Sequence, residues 1–269
     1  MMFNKSNTMK KALLAVLTIF TLACHAQDQP IASYFQTLCN HYMQQYPNKT
    51  GAALYADFCI QYNLDGKDST NIRNFFTIQI MHKLFTVNMC KDGSRGDILN
   101  MPYFWHYCTP NPRDAILVDG KKNIGYTRIE RKPYHFLKDM VAPANRFTYP
   151  GLEPFCSFGW CSEREMAFAC LLSLMGYKTH VISPYNHAYT EVQVSFLTNR
   201  GEKRVLLVNV DNTFNNLTHS DGSGEPYDNI YDKKAFNPAE VARVKGINVS
   251  KAAMGRIEKA MQDYIKYYN

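Results

Sequence analysis

The sequence lacks several features that would assign it to a specialised structural class. No apolar run after residue 26 is long enough to form a transmembrane helix. Internal repeats and low-complexity segments are also absent, which excludes solenoids and propellers. The 269 residues are 46% hydrophobic and 20% charged, values typical of a globular protein with a substantial core. The length fits one large domain or two small ones.

The chain also has little excess charge of one sign. Its formal net charge is +7, and it falls to about +4 when the three lysines of residues 1–26 are left out. The one basic cluster, at 121–122 and 128–132, is interpreted as a solvated surface. We therefore expect no nucleic-acid partner.

Residues 1–26 are predicted to be a signal peptide. Three lysines precede an apolar run at 12–23, which is about the length of a signal-peptide core. Cleavage after Ala26 would release a chain that starts at Gln27, whereas a lipoprotein-type cleavage would leave a lipid on Cys24. Either route predicts an exported protein (periplasmic, secreted or anchored at the surface), with membrane contact only if Cys24 is lipidated. The sequence carries no signal for an oligomeric state.

The cysteine count indicates a reactive thiol. Seven cysteines follow the predicted signal peptide, and an odd number in an oxidising compartment leaves at least one unpaired. They are Cys39, Cys59, Cys90, Cys108, Cys156, Cys161 and Cys170.

Hydrophobic periodicity divides the mature chain into a helix-rich part, 27–150, and a mixed part, 151–269, which we expect to form one unit. In the first part we predict helices at 30–46, at 70–89 with Ser69 or Thr70 as N-cap, and at 134–146, and a strand at 115–118. In the second part we predict a helix at 162–175 ending before Gly176, strands at 177–183, 187–197 and 203–211, and a final helix from about Ser250.

Cys161 stands at the start of a predicted helix. The unpaired N–H groups and partial positive charge of a helix N-terminus favour a thiolate, which is the nucleophilic form of cysteine. The same N–H groups would hold an oxyanion. A disulfide with Cys156 is the alternative interpretation of this residue.

His187 and Asp211 lie at the open end of a predicted hairpin. If the turn is centred on Asn199, the two residues are direct partners across the strands; if it is centred on Arg200, they are diagonal neighbours on one face. A histidine suits the role of general acid and base at neutral pH, and an aspartate suits the role of orienting its ring. We therefore predict a hydrogen bond of about 2.6–3.2 Å between Asp211 and one ring nitrogen, with the other nitrogen towards Cys161.

These motifs resemble the transglutaminase-like superfamily. The matching segments are Gly-Trp-Cys-Ser-Glu at 159–163, His-Ala-Tyr-Thr-Glu-Val at 187–192 and Val-Asp-Asn-Thr-Phe at 210–214. The resemblance implies an α+β fold in which the helix that bears the cysteine packs on an antiparallel sheet, with additional N-terminal and C-terminal helices. It also implies a catalytic triad of Cys161, His187 and Asp211.

The expected activity is cleavage of a peptide or protein substrate through a thioester, by a peptidase or amidase rather than a cross-linking enzyme. We predict that Trp160, Tyr185, Asn186 and Tyr189 contact the substrate. Neither the cysteine–histidine spacing nor the acidic loop at 221–232 matches a common metal site, so we expect no metal and no other cofactor. The alternative hypothesis is a non-catalytic binding or scaffold protein, in which Cys161 is in a disulfide or His187 lies out of its reach.

Overall fold

The computed structural model describes residues 28–44, 49–87, 117–118, 121–122, 132–143, 147–148, 161–183, 187–212, 216–221, 232–234 and 238–268. Within these residues the helices are α1 (Ile31–Met43), α2 (Lys49–Tyr62), α3 (Ser69–Val87), α4 (Pro133–Met140), α5 (Cys161–Leu174), α6 (Pro238–Lys245) and α7 (Lys251–Tyr268). The strands are β1 (Gln29–Pro30), β2 (Leu117–Val118), β3 (Lys121–Lys122), β4 (Phe147–Thr148), β5 (Lys178–Ser183), β6 (Tyr189–Leu197), β7 (Lys203–Asp211), β8 (Asn216–Ser220), β9 (Asp232–Lys234) and β10 (Asn248–Val249). The fold is α+β, as the sequence predicts.

The main sheet has five antiparallel strands in the order β8-β7-β6-β5-β9. Its longest ladder joins β6 to β7, and Thr190 pairs with Val210 while Leu197 pairs with Lys203. This register places the centre of the hairpin at Arg200, so the pairing centred on Asn199 is wrong and the alternative is found. Gly201 has a φ of 76°, the left-handed conformation that glycine adopts without strain at a tight turn.

One face of this hairpin is buried against α5. Alternate residues of β6 and β7 point into the core, as the strand alternation predicts. They are Thr190, Val192, Val194, Phe196, Leu206, Val208 and Val210, each no more than 2% exposed. The helix ends in a turn at Gly176, where φ is 97°, and the chain then enters β5. The cysteine-bearing helix therefore packs on the antiparallel sheet.

The N-terminal helices share a hydrophobic core with this α5–sheet layer. Phe85 of α3 lies edge-on to Phe168 of α5, with ring centroids 5.1 Å apart. The cap of α3 differs from the prediction, because the side chain of Asp68 accepts a 2.8 Å hydrogen bond from the backbone N–H of Asn71. Asp68, rather than Ser69 or Thr70, is thus the N-cap.

Several elements were not predicted from the sequence. They are helices α2 and α6, the outer strands β8 and β9 of the main sheet, the strands β3 and β4 that pair with β2, and the short pair β1–β10. The predicted signal peptide and residues 115–116 of the predicted strand lie outside the described residues. Among the helices that the structure describes, none is both long and apolar enough to cross a membrane.

Candidate active site

Cys161 is the first residue of α5, at the helix N-terminus that the sequence predicts. Its side chain is 8% exposed and packs in a small cluster with Val181 of β5 and Ala188 before β6. The residue is a free thiol, so the alternative of a disulfide at this position is not found. Its sulfur therefore lies between the helix end and the strands of the sheet.

His187 and Asp211 are in direct contact. The Nε2 atom of His187 lies 2.6 Å from Oδ2 of Asp211, which confirms the predicted hydrogen bond. Both side chains are 16% exposed, so water reaches only a small part of each. The contact forms between diagonal neighbours of the hairpin, since His187 lies two residues before the first residue of β6 and Asp211 ends β7.

The surroundings of His187 favour its protonated form. Burial lowers the pKa of this imidazole, but the hydrogen bond and the negative charge of Asp211, together with the interaction with Cys161, raise it to about 10. Because Nε2 is bonded to Asp211, Nδ1 is the nitrogen left for the thiol. The three residues can thus hold a charged imidazole between a carboxylate and a sulfur atom.

The other described thiols lack such neighbours. Burial raises the pKa of Cys170 to about 12, and it also raises the pKa values of Cys39 and Cys59. A buried thiol with a raised pKa holds little thiolate at neutral pH and reacts slowly. Cys161 is therefore the described cysteine best placed to act as a nucleophile.

The sequence analysis did not identify a buried polar group beneath the triad. Glu165 lies one helical turn after Cys161 and is fully buried. Its carboxylate accepts hydrogen bonds from Thr190 and from Asn212, the residue that follows Asp211. The one signal in the sequence for a role near the site was the spacing of Glu165, which lies four residues after Cys161 and therefore on the same face of the helix.

Tyr189 is the one predicted substrate residue that lies within the described part of the chain. Tyr189 is half-buried at the start of β6, where it pairs with Ile182. Trp160, Tyr185 and Asn186 fall outside the described residues, so their contacts with a substrate stay predictions.

Glu191, also on β6, is buried with an oxygen 3.6 Å from Nδ1 of His180, its cross-strand partner.

Comparison of the whole chain with protein-family models, with curated proteins and with solved structures finds no match. The interpretation of the site therefore depends on its own geometry and on the residues that compose it.

Proposed function

We propose that this chain is an exported cysteine-dependent enzyme of the transglutaminase-like kind, which cleaves amide bonds of peptide-like substrates through a thioester. Cys161 is the nucleophile, His187 is the general acid and base, and Asp211 orients the imidazole. The observation that carries the proposal is the 2.6 Å contact between His187 and Asp211, together with the free thiol of Cys161, which packs with Ala188, the residue after His187. A hydrogen-bonded nucleophile, base and orienting group is the arrangement that acyl transfer requires.

The raised pKa of His187, about 10, supports a protonated imidazole at neutral pH, and the proposed reaction starts from a Cys161 thiolate beside it. In the first step the Cys161 sulfur forms a bond with the amide carbonyl carbon, and the carbonyl electrons move to oxygen. The helix N-terminus at Cys161 provides positive potential for that oxyanion. When the C–N bond breaks, the departing amine takes the proton of His187, and a thioester is left on Cys161.

Water completes the reaction in the second step. His187 removes a proton from water, the resulting hydroxyl adds to the thioester carbonyl, and the C–S bond breaks. A carboxylic acid leaves, and the thiolate–imidazolium pair is restored. Asp211 keeps Nε2 occupied throughout, so the same ring nitrogen, Nδ1, receives and delivers the proton.

The alternative of a non-catalytic binding protein has less support. It requires a disulfide at Cys161 or a His187 that lies out of reach of the thiol. Cys161 is a free thiol, and its interaction with His187 is among the causes that raise the pKa of the imidazole.

The proposal predicts that Cys161 is unusually reactive. The protein is treated with limiting iodoacetamide at about pH 7, and the labelled peptides are mapped by mass spectrometry. We expect labelling at Cys161 to be at least about tenfold faster than at Cys170, a buried thiol on the same helix. His187→Ala should slow the labelling of Cys161, whereas the matched variant Cys170→Ala should leave it unchanged. Equal labelling rates at Cys161 and Cys170, or a Cys161 labelling rate that is unchanged in His187→Ala, would overturn the proposal.

Turnover is then measured on a panel of peptide anilides and isopeptide amides, with and without a fluorescent primary amine. Release of product without incorporation of the amine identifies hydrolysis, and incorporation identifies transfer. We expect Cys161→Ala to abolish turnover and Asp211→Ala to reduce it by a smaller factor, because a misoriented imidazole retains some basicity.

A further inference from the structure

We propose that Glu165 is a positioning residue of the triad, whose carboxylate ties the cysteine-bearing helix to the two strand ends that carry His187 and Asp211. The inference rests on the proposed function, since it assigns Glu165 a role in the geometry of that site. Glu165 does not touch the reacting atoms; it acts through Asn212 and Thr190.

The position of Glu165 relates it directly to Cys161. The two residues are four apart on α5 and therefore lie on the same face of the helix, one turn from each other. Glu165 is 0% exposed, which is rare for a carboxylate because its desolvation is costly. A site used for packing alone would favour an apolar side chain.

The contacts of Glu165 connect three elements. Its Oε1 accepts the backbone N–H of Asn212 at 2.7 Å, and its Oε2 accepts Nδ2 of Asn212 at 2.9 Å. The hydroxyl of Thr190 donates to Oε2 at 2.7 Å. Asn212 directly follows Asp211, and Thr190 lies three residues after His187. One carboxylate thus fixes the ends of β6 and β7 against the helix that begins at Cys161.

Asn212 is bonded through all four of its polar groups. Besides its two bonds to Glu165, its Oδ1 lies 3.0 Å from Nδ1 of His82, and its carbonyl accepts Nη1 of Arg164 at 3.1 Å. A residue held in this way cannot rotate about its backbone, so the direction of the adjacent Asp211 side chain is also set. Because His82 belongs to α3, the N-terminal helices take part in supporting the site.

Two opposing effects act on the charge of the Glu165 carboxyl group. Burial and the negative charge of Asp211 raise the pKa of Glu165 to about 8, while the bonds from Thr190 and Asn212 lower it. Thr190 can adapt to either protonation state, because its hydroxyl also lies 3.3 Å from the carbonyl oxygen of Glu165. The protein thus keeps a carboxyl group in a place where its charge is disfavoured, which fits a role in positioning.

The test compares Glu165→Ala and Glu165→Gln with Asn71→Ala in the full chain. Asn71 is a matched control because it is also 0% exposed and bonds both backbone groups of Leu197, at the far end of β6. Three quantities are measured for each folded variant: its melting temperature, the rate of Cys161 alkylation by iodoacetamide as a function of pH, and the NMR signal of the His187 ring proton that faces Asp211.

We expect Glu165→Ala to lower the alkylation rate at pH 7 by about tenfold, to move its pH profile towards that of an ordinary thiol, and to remove the low-field ring-proton signal. Glu165→Gln should rescue part of the loss, because its oxygen can still accept the N–H of Asn212. Asn71→Ala should lower the melting temperature without changing the rate or the signal. A Glu165→Ala protein with the wild-type rate and signal would overturn the inference.

If Glu165→Ala does not fold, the comparison is made with Thr190→Val, which removes one donor to Glu165 while keeping a similar shape. A smaller decrease in the same rate and signal is then expected, and no change would overturn the inference. The ring-proton signal separates this inference from the proposed function. If wild-type Cys161 proves unreactive but the signal is present and depends on Glu165, the proposed function fails while the positioning role holds.

Discussion

His187 is the residue on which the chemistry of the site depends. Its charge is stabilised by the 2.6 Å hydrogen bond with Asp211 and by the interaction with Cys161, although its burial opposes that charge. The pKa of about 10 lies well above the ordinary value for histidine, about 6.5. At neutral pH the ring is therefore a proton donor, which is the role that the proposed reaction gives it.

This shift predicts how stability depends on pH. A group with a raised folded-state pKa stabilises the protein fully below its unfolded pKa, and this contribution is lost as the pH rises from about 6.5 through about 10. Asp211→Asn removes the negative charge that helps to raise the pKa, so the loss of stability across this range should become smaller. The measurement is the free energy of unfolding in urea at several values between pH 6 and 10.

Asp57→Asn is the control for this prediction, because Asp57 is exposed on α2, in the N-terminal part of the chain. It should keep the wild-type dependence on pH. An Asp211→Asn protein with the same dependence as the wild type would contradict the assigned electrostatics of His187.

At the scale of elements, the β6–β7 hairpin and the outer strand β8 set the shape of the site. The hairpin brings His187 to Asp211, and β8 covers the outer edge of β7. His219 of β8 packs on aromatic side chains of the N-terminal helices, with its ring centroid 4.6 Å from that of Phe58. Its ring is also nearly parallel to that of Phe75, at 6.1 Å.

The contact of β8 predicts sensitivity to acid. Burial lowers the pKa of His219 to about 4, so stability is lost as the pH falls from about 6.5 through about 4, where the unfolded chain gains a proton that the folded one does not. The difference of about 2.5 between the two pKa values corresponds to a loss of at most about 3.5 kcal/mol, since one pKa unit is worth about 1.4 kcal/mol. His219→Leu, which cannot titrate, should weaken this dependence in urea unfolding at pH 7, 5.5 and 4.5. His41→Gln, on the partly exposed side of α1, should preserve it.

At the scale of the whole molecule, the N-terminal helices and the α5–sheet layer form one core. The cluster of buried residues runs from Ile31 in α1 through the sheet to Met261 in α7. In such an arrangement the triad depends on helices that are distant from it in the sequence. Phe85 and Phe168 join the two parts directly, and they are 3% and 0% exposed.

The shared core predicts that the molecule unfolds in one step. Phe85→Ala should destabilise the protein by about 3–5 kcal/mol, the usual cost of removing a buried phenylalanine ring. The loss should appear equally in far-ultraviolet circular dichroism and in the denaturant dependence of Cys161 labelling. Leu54→Ala, at an exposed position of α2, should change stability by less than about 0.5 kcal/mol. Two separate transitions would contradict a common core.

The sequence by itself determined the elements whose signals are local. Apolar periodicity located α5 and the strands β5 to β7 within two residues, and Gly176 marked the end of the helix. The sequence also identified the candidate triad, because Cys161, His187 and Asp211 stand in recognisable motifs at a predicted helix start, strand start and strand end. By contrast, α2 was not predicted, since its exposed Leu54 and Ile60 obscure the apolar face that a helix usually presents.

Tertiary structure alone decided which distant groups meet. A hairpin centred on Arg200 pairs each residue two positions away from its partner in a hairpin centred on Asn199. Both registers put the same residues on the buried face, so strand alternation could not distinguish them. Glu165 has the sequence pattern of an ordinary helix charge, because its partners Thr190 and Asn212 are 25 and 47 residues away. Periodicity and capping act over a few residues, whereas burial of a polar group depends on the packing of whole elements. For that reason the candidate nucleophile could be predicted from the sequence, and the group that supports it could not.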